Sequence, residues 1–425
     1  MSSRSPASST PVSAEGPSRA GWHHLRRRPE AGALVGFGCV FLSFALLVPD
    51  TFLSDNAFSS ILTSQAVPGI MAIGITLLMI SGEFDLSVGS IMGVASLVFL
   101  YSLVSGLHLT IAFVLGLAAG GLMGLCNGLL LVWTGIPSFI ITLGTMLAYR
   151  AIALTSIAGG RIVRYADHAR NDPTLQVPHW ALAITALLLC GLVAWAGRES
   201  TARHLRTCRA GFDPRSAGLL LAWAVLAAAA AVGAAAAVGA AVSGGTDGGS
   251  ALEVDVFYLL NGRLPRDLVG GNYRLCIAWW LLLSLLFGLL LNRTRWGNAL
   301  FATGGNAAAA RAQGVDVDRV RIATFTLCGL LAAFAGIVQV ARLKSVDPLR
   351  GQGMELEVIA AVVIGGTLLT GGFGGIAGTV IGTTLTGMLR TGLVLLSIPA
   401  NAFRGAIGAI MIAAVVINTF VRRRQ

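Results

Sequence analysis

Apolar runs long enough to cross a bilayer recur along nearly the whole chain, with short polar loops between them. A helix needs about 20 such residues to span the hydrocarbon core. Spans are expected at 31–49, 61–81, 87–106, 109–133, 138–158, 179–197, 217–242, 275–292, 320–341, 355–371, 376–397 and 402–421. The 217–242 run is so Ala-rich that it inserts weakly. The expected fold is all-α: a polytopic membrane protein of about 10–12 transmembrane helices, some of them interrupted.

One stretch, Ile75–Val98, breaks the apolar pattern from within. It carries Glu83 and Asp85 between Gly82 and Gly89. A charge at bilayer depth costs about 3 kcal/mol or more, so a plain spanning helix would not hold two. Asp85 and Ser87 are good N-caps for a helix restarting toward Val98. Two readings stay open. Either a helix stops near Ser81 and restarts near Ser87 inside the protein or beside a water-filled path, or a short loop at the membrane surface leaves both acids solvated.

Composition agrees with a membrane protein: 55% of the 425 residues are hydrophobic and 12% charged, with a mean hydropathy of +0.78. The net charge of +11 points to basic loops beside anionic lipid rather than to nucleic acid. Arginines concentrate in 198–215 (Arg198, Arg203, Arg206, Arg209, Arg215), in 293–319 (Arg293, Arg295, Arg311, Arg319) and in the tail Arg422-Arg423-Arg424. The positive-inside rule makes these loops cytoplasmic and places both termini inside. Residues 1–30 end in Arg26-Arg27-Arg28 and are expected to be a disordered cytoplasmic tail. The single lysine, Lys344, follows Leu343, which excludes a phosphate-binding loop of the GxxxxGK[ST] type. Six scattered cysteines and unpaired histidines argue against a disulfide framework or a metal site. No catalytic constellation appears.

Val88–Gly93 is echoed by Phe373–Gly378, each following an apolar run. Two halves with interruptions in corresponding places are a transporter pattern. The chain divides accordingly into a first half at 31–158, an insertion with two extra helices at 159–274, and a second half at 275–425. Within the second half, Gly297–Gly314 carries its own punctuation. Gly304-Gly305 breaks the preceding structure, Asn306 caps, Ala307–Ala312 (with Ala309, Ala310 and Arg311) is a strong short helix former, and Gly314 stops it. Such a bare helix can lie in another protein's groove; the alternative is a plain connector.

Four stretches together carry a resemblance: GEFDLSVGS, PSFIITLGTMLAYRAIAL at 137–154, the Gly304–Val315 stretch, and VIGGTLLTGGFGGIAGTVIGT at 363–383. The chain resembles the permease subunit of bacterial ABC importers for ribose, xylose and galactose, over 31–158 and 275–421, with an insertion like that of the longer xylose-type members. It departs from the common pattern in Ala308, where an acid is frequent, and in the extra charge of Glu83.

The resemblance implies a second permease copy, most simply a homodimer. It implies a cytoplasmic ABC ATPase, which uses ATP and Mg, gripping Gly304, Gly305, Asn306, Ala309, Ala310, Arg311 and Gly314. It also implies a periplasmic sugar-binding protein, a bacterial inner-membrane location and no cofactor on this chain. Expected path or gating residues are Glu83, Asp85, Ser87, Gly89, Ser90, Thr142, Thr145, Gly371, Gly372, Phe373 and Gly374. Arg150, Arg390 and Arg404 are expected to snorkel to an interface, with lining of the path as the alternative, and Glu355 and Glu357 to favour a helix N-terminus. A permease for branched-chain amino acids or a small signal molecule would share this architecture. An ion-coupled secondary transporter would instead use Glu83 or Asp85 as its ion site.

Overall fold

The computed structural model describes residues 30–157, 161–167, 174–178, 251–265 and 270–399, with 405, 408 and 409. Helices make up nearly all of it. The first group is α1 (Glu30–Leu47), α2 (Pro49–Phe52), α3 (Asp55–Ile80), α4 (Val88–Val104), α5 (Leu109–Thr134) and α6 (Ser138–Thr155). After strands β1 (Val163–Arg164), β2 (Thr174–Pro178) and β3 (Ala251–Asp255) come α7 (Val256–Asn261), α8 (Leu275–Arg293), α9 (Arg295–Gly305), α10 (Ala307–Ala312) and α11 (Val317–Leu343). Strand β4 (Ser345–Val346), α12 (Met354–Ile364) and α13 (Ile376–Leu395) complete the described chain. Among the described residues, α3, α5, α6, α8 and α11 are long and apolar enough to cross a membrane, and α1 and α4 are apolar but shorter. The protein is a nearly all-helical, multi-pass membrane protein.

Helices α3 and α11 are the pillars. Each is buried over most of its length, and α11 packs against α3, α4 and α5. In lipid no hydrophobic force draws helices together, so close packing of small residues and interhelical polar contacts take its place. The α5–α11 contact shows this: the Phe325 and Gly329 carbonyls of α11 occupy the space that Cβ atoms at Gly124 and Gly120 would fill. On the other side of α3, α13 lies against α1 and α3, and Trp280 of α8 is fully buried over Gly69.

Most expected spans appear within a few residues. Helix α3 starts earlier than expected, because Ser54 caps it by accepting the Ala57 N–H at 3.2 Å. The run at 355–371 needs correction, since its helix stops at Ile364. Eleven residues make about 16 Å, half a bilayer. Gly366, at φ +92°, ends it. The spans expected at 179–197 and 217–242 lie outside the described residues, as nearly all of 402–421 does. Two small ribbons qualify the helical picture: β1 pairs antiparallel with β4, and β2 with β3 in the register Thr174↔Asp255 to Pro178↔Ala251.

Candidate functional site

The first interruption opens where α3 ends. The Gly82 N–H donates to the Met79 carbonyl and the Glu83 N–H to the Leu78 carbonyl, both at 3.0 Å, with Gly82 at φ +85°. This pair of bonds turns the chain sharply, and only glycine takes that backbone without strain. Residues 83–87 then run irregularly. The Phe84 N–H donates to Ser138 Oγ at 3.1 Å, and Asp85 Oδ1 accepts from the Ser87 N–H at 2.7 Å and the Ser87 hydroxyl at 2.6 Å. Asp85 therefore closes a local turn instead of capping α4 directly, and Ser87, the residue before α4, makes no side-chain cap.

A chain of polar groups continues from this turn. Ser87 Oγ accepts from Asn127 Nδ2 at 2.8 Å, and the Tyr149 hydroxyl donates toward Asn127 Oδ1 at 3.3 Å. Asp85 is fully buried and Glu83 nearly so. Asp85 Oδ2 has no hydrogen-bond partner among the described residues. The reading with both acids solvated is thus overturned. Asn127 lies two turns before the end of α5, about 10 Å at 1.5 Å per residue, so α4 restarts inside the bundle and not at its end. Glu83 finds its counter-charge on α11: Arg321 Nε lies 2.9 Å from Glu83 Oε1.

The second interruption opens the same way. The Gly366 N–H donates to Val363 O at 2.9 Å and the Thr367 N–H to Val362 O at 3.2 Å. A turn through Leu368–Phe373 follows, with Gly371 and Gly372 at φ +82° and +71°. Phe373 is partly exposed, and Gly374 packs against the Thr367 side chain and Ile80.

The two interruptions meet at the α9–α10 corner. The Gly372 N–H donates to the Ile80 carbonyl at 2.8 Å. A Cβ on Gly371 would lie 2.8 Å from both the Gly304 carbonyl oxygen and Gly82 Cα, and one on Gly372 would lie 2.7 Å from Gly305 Cα. Gly82, Gly304, Gly371 and Gly372 thus pack backbone to backbone, with no side chain between the corner and either break.

The corner itself follows its sequence signals. Asn306 Oδ1 accepts the Ala309 N–H at 3.0 Å, α10 spans Ala307–Ala312, and Gly314 at φ +83° follows it. Two details differ from expectation. Ala310 points inward and is buried, while Ala309 is exposed. Gly305 has no positive φ and a Cβ there would touch nothing, so the constrained glycine is its neighbour Gly304. Arg311 is ion-paired to Asp318 at 2.6 Å.

Arg150 and Arg390 are not free to snorkel. Arg150 Nη2 lies 3.2 Å from Glu355 Oε1, and Arg390 Nη2 lies 2.7 Å from Glu357 Oε2. Arg404 lies outside the described residues. Glu355 also reaches the start of α4: its Oε2 would lie 2.5 Å from a Cβ on Gly89, beside the Gly351 carbonyl. The beginnings of α4 and α12 therefore touch within the bundle. The expected hydroxyls are already engaged: Ser90 donates to Met146 O at 3.0 Å, Thr142 to Ser138 O at 2.8 Å and Thr145 to Thr142 O at 3.3 Å. Sequence reasoning missed Arg321, Ser138 and Tyr149 as partners of the first break. Asn127, an amide inside an apolar span, was the one available signal for that network. Among the described residues no group of three or more His, Cys, Asp or Glu could hold a metal ion.

A family model described as branched-chain amino acid transport system / permease component matches residues 57–415. The chain belongs to this permease family. It is 32% identical over 390 residues to the xylose transport system permease protein XylH of Escherichia coli strain K12, covering 91% of this chain and 90% of the relative. It is 28% identical over 388 residues to the ribose import permease protein RbsC of the same strain, covering 91% and 92%. The probable ABC transporter permease protein YphD, also of that strain, is 31% identical over 396 residues, covering 93% and 91%. No solved structure matches. The family match takes in both interruptions and the α9–α10 corner of this permease.

Proposed function

We propose that the protein is the membrane-spanning subunit of an ATP-driven ABC importer that carries a pentose or hexose, xylose- or ribose-like, across the bacterial inner membrane. The observation that carries the reading is the backbone junction of Gly82, Gly304, Gly371 and Gly372. A capped, nearly bare helix follows Gly304 closely in the chain, and both interruptions are in backbone contact with that glycine. A force applied at α10 reaches both interruptions through backbone contact alone. The chain performs no covalent chemistry in this reading. A separate cytoplasmic ATPase binds ATP with Mg and seats α10, a periplasmic binding protein delivers the sugar, and a second copy of the permease completes the path. The arginine bias of the loops supports cytoplasmic termini. The names of the xylose and ribose relatives support a sugar as cargo.

The test is reconstitution of the permease with its ATPase and binding protein in proteoliposomes, supplied with ATP and radiolabelled xylose. ATP-dependent uptake is expected, and uptake without ATP under an imposed proton or sodium gradient would overturn the reading. The family description favours one second reading, a branched-chain amino acid as cargo, and ATP-dependent uptake of leucine but not of xylose would establish it.

A further inference from the structure

We propose that Glu83 and Arg321 are positioning residues for coupling: their ion pair clasps the first interruption to the helix that leaves the α9–α10 corner. The inference rests on the permease reading above. Glu83 is the residue just past the turn that ends α3, and its own N–H is bound to Leu78 O, so its Cα is fixed to the end of that helix. Arg321 lies in the first turns of α11, the helix into which the corner feeds after the Asp316 cap. Nε and Oε1 are 2.9 Å apart, an ion-pair contact in which Nε makes no hydrogen bond among the described residues, with side-chain exposures of 25% for Arg321 and 8% for Glu83. Shielding on that scale makes the pair stronger than one in open water.

The geometry gives the pair a mechanical meaning. The first interruption is held at two points, by backbone contact at Gly304 on α9 and by the Arg321 guanidinium on α11, the helix that follows the corner. A segment held at one point can pivot when the corner moves; held at two, it must follow. The second interruption touches the corner through Gly371 and Gly372. Residues 365–375 carry no charged side chain; the ion pairs Glu355–Arg150 and Glu357–Arg390 lie at the start of α12, about two turns before that break, and tie the helix to α6 and α13. The two interruptions therefore respond to the ATPase differently, and the first carries the charged link.

The experiment uses the full importer in proteoliposomes and reads xylose moved per ATP hydrolysed, alongside co-purification of the ATPase. Glu83→Gln and Arg321→Gln should each retain the ATPase and its hydrolysis while the transport ratio falls roughly fivefold or more. Glu83→Arg combined with Arg321→Glu should recover much of the ratio. Arg319→Gln, on an 88%-exposed side chain paired with Asp316 three residues away, should leave it unchanged. Because each single variant strands one charge, the double Glu83→Gln/Arg321→Gln is measured as well; it strands none and should be uncoupled too. A Glu83→Gln/Arg321→Gln permease that transports as many xylose molecules per ATP as the unaltered protein would overturn the clasp. An unaltered permease that retains no ATPase would overturn the permease reading itself, and the clasp with it.

Discussion

Gly304→Ala adds one methyl group at the point where three chain segments meet, and its cost can be worked from the geometry. The new Cβ would lie 2.7 Å from the Gly372 nitrogen and 2.9 Å from the Ile80 carbonyl carbon, with the Ile80 oxygen nearer still. Carbon contacts are comfortable near 3.5–4 Å, so well over an ångström of separation must be found, the Ile80 oxygen setting the requirement. The obstructing atoms are backbone, joined by the Gly372–Ile80 hydrogen bond, and cannot swing aside as a side-chain tip would. Overpacking of this kind costs about 1–3 kcal/mol, and here it also pushes the corner off both interruptions. Gly305→Ala is the matched control. A Cβ there has nothing within 4 Å, and alanine favours the helix end by up to about 1 kcal/mol. Thermal unfolding of the two variants in detergent, with uptake in proteoliposomes, separates them. Gly304→Ala should melt earlier and transport poorly, and Gly305→Ala should match or exceed the parent in stability. Equal melting and equal transport for the two would refute the backbone junction.

Three further predictions follow from the same contacts. Ala309→Trp, on the exposed side of α10, should abolish ATPase co-purification at normal yield, whereas Ala310→Trp, on the buried side, should lower the yield of the permease itself; identical behaviour would contradict the orientation of α10. Asp85→Ala removes the acceptor of two Ser87 bonds and should destabilise the restart of α4 by about 1 kcal/mol, while Asp85→Asn keeps an acceptor oxygen and should be milder; a melting temperature unmoved by Asp85→Ala would count against the turn. Arg150→Ala strands the buried Glu355 carboxylate and should cost about 3 kcal/mol, with Arg150→Ala/Glu355→Ala recovering most of it; a double variant no more stable than the single would show that the pair is not the link between α6 and α12.

The spans were legible because apolar length is a one-dimensional signal, and α4, α5, α6, α8 and α11 fall within a few residues of their expected limits. The α10 helix was legible for the same reason: Asn306, six helix-forming residues and Gly314 are adjacent in sequence and act locally. The shortness of α12 was harder to see. Gly365 and Gly366 stand inside an apolar run, and hydropathy alone carries it on through Leu369, although a glycine at positive φ ends the helix five residues before.

What the sequence could not supply is pairing across distance. Glu83 and Asp85 were visible as misplaced charges, but a carboxylate in a glycine-flanked turn is equally consistent with water and with a guanidinium 238 positions away. The arginines show the same limit. Arg150 and Arg390 look alike from sequence, each near one end of an apolar run, and snorkelling is then the cheaper expectation because pairing requires an acid at the right depth. That acid exists in each case only because α12 begins inside the bundle, which brings Glu355 to α6 and Glu357 to α13. The glycine junction is the extreme case. Gly82, Gly304, Gly371 and Gly372 have no side chains to produce a periodicity, and in a chain with 54 glycines most such pairs would be coincidence. Their shared property is the removal of Cβ atoms from a point where three backbones converge, so an all-alanine version of the four positions could keep every helix and still lose the connection between the corner and the interruptions.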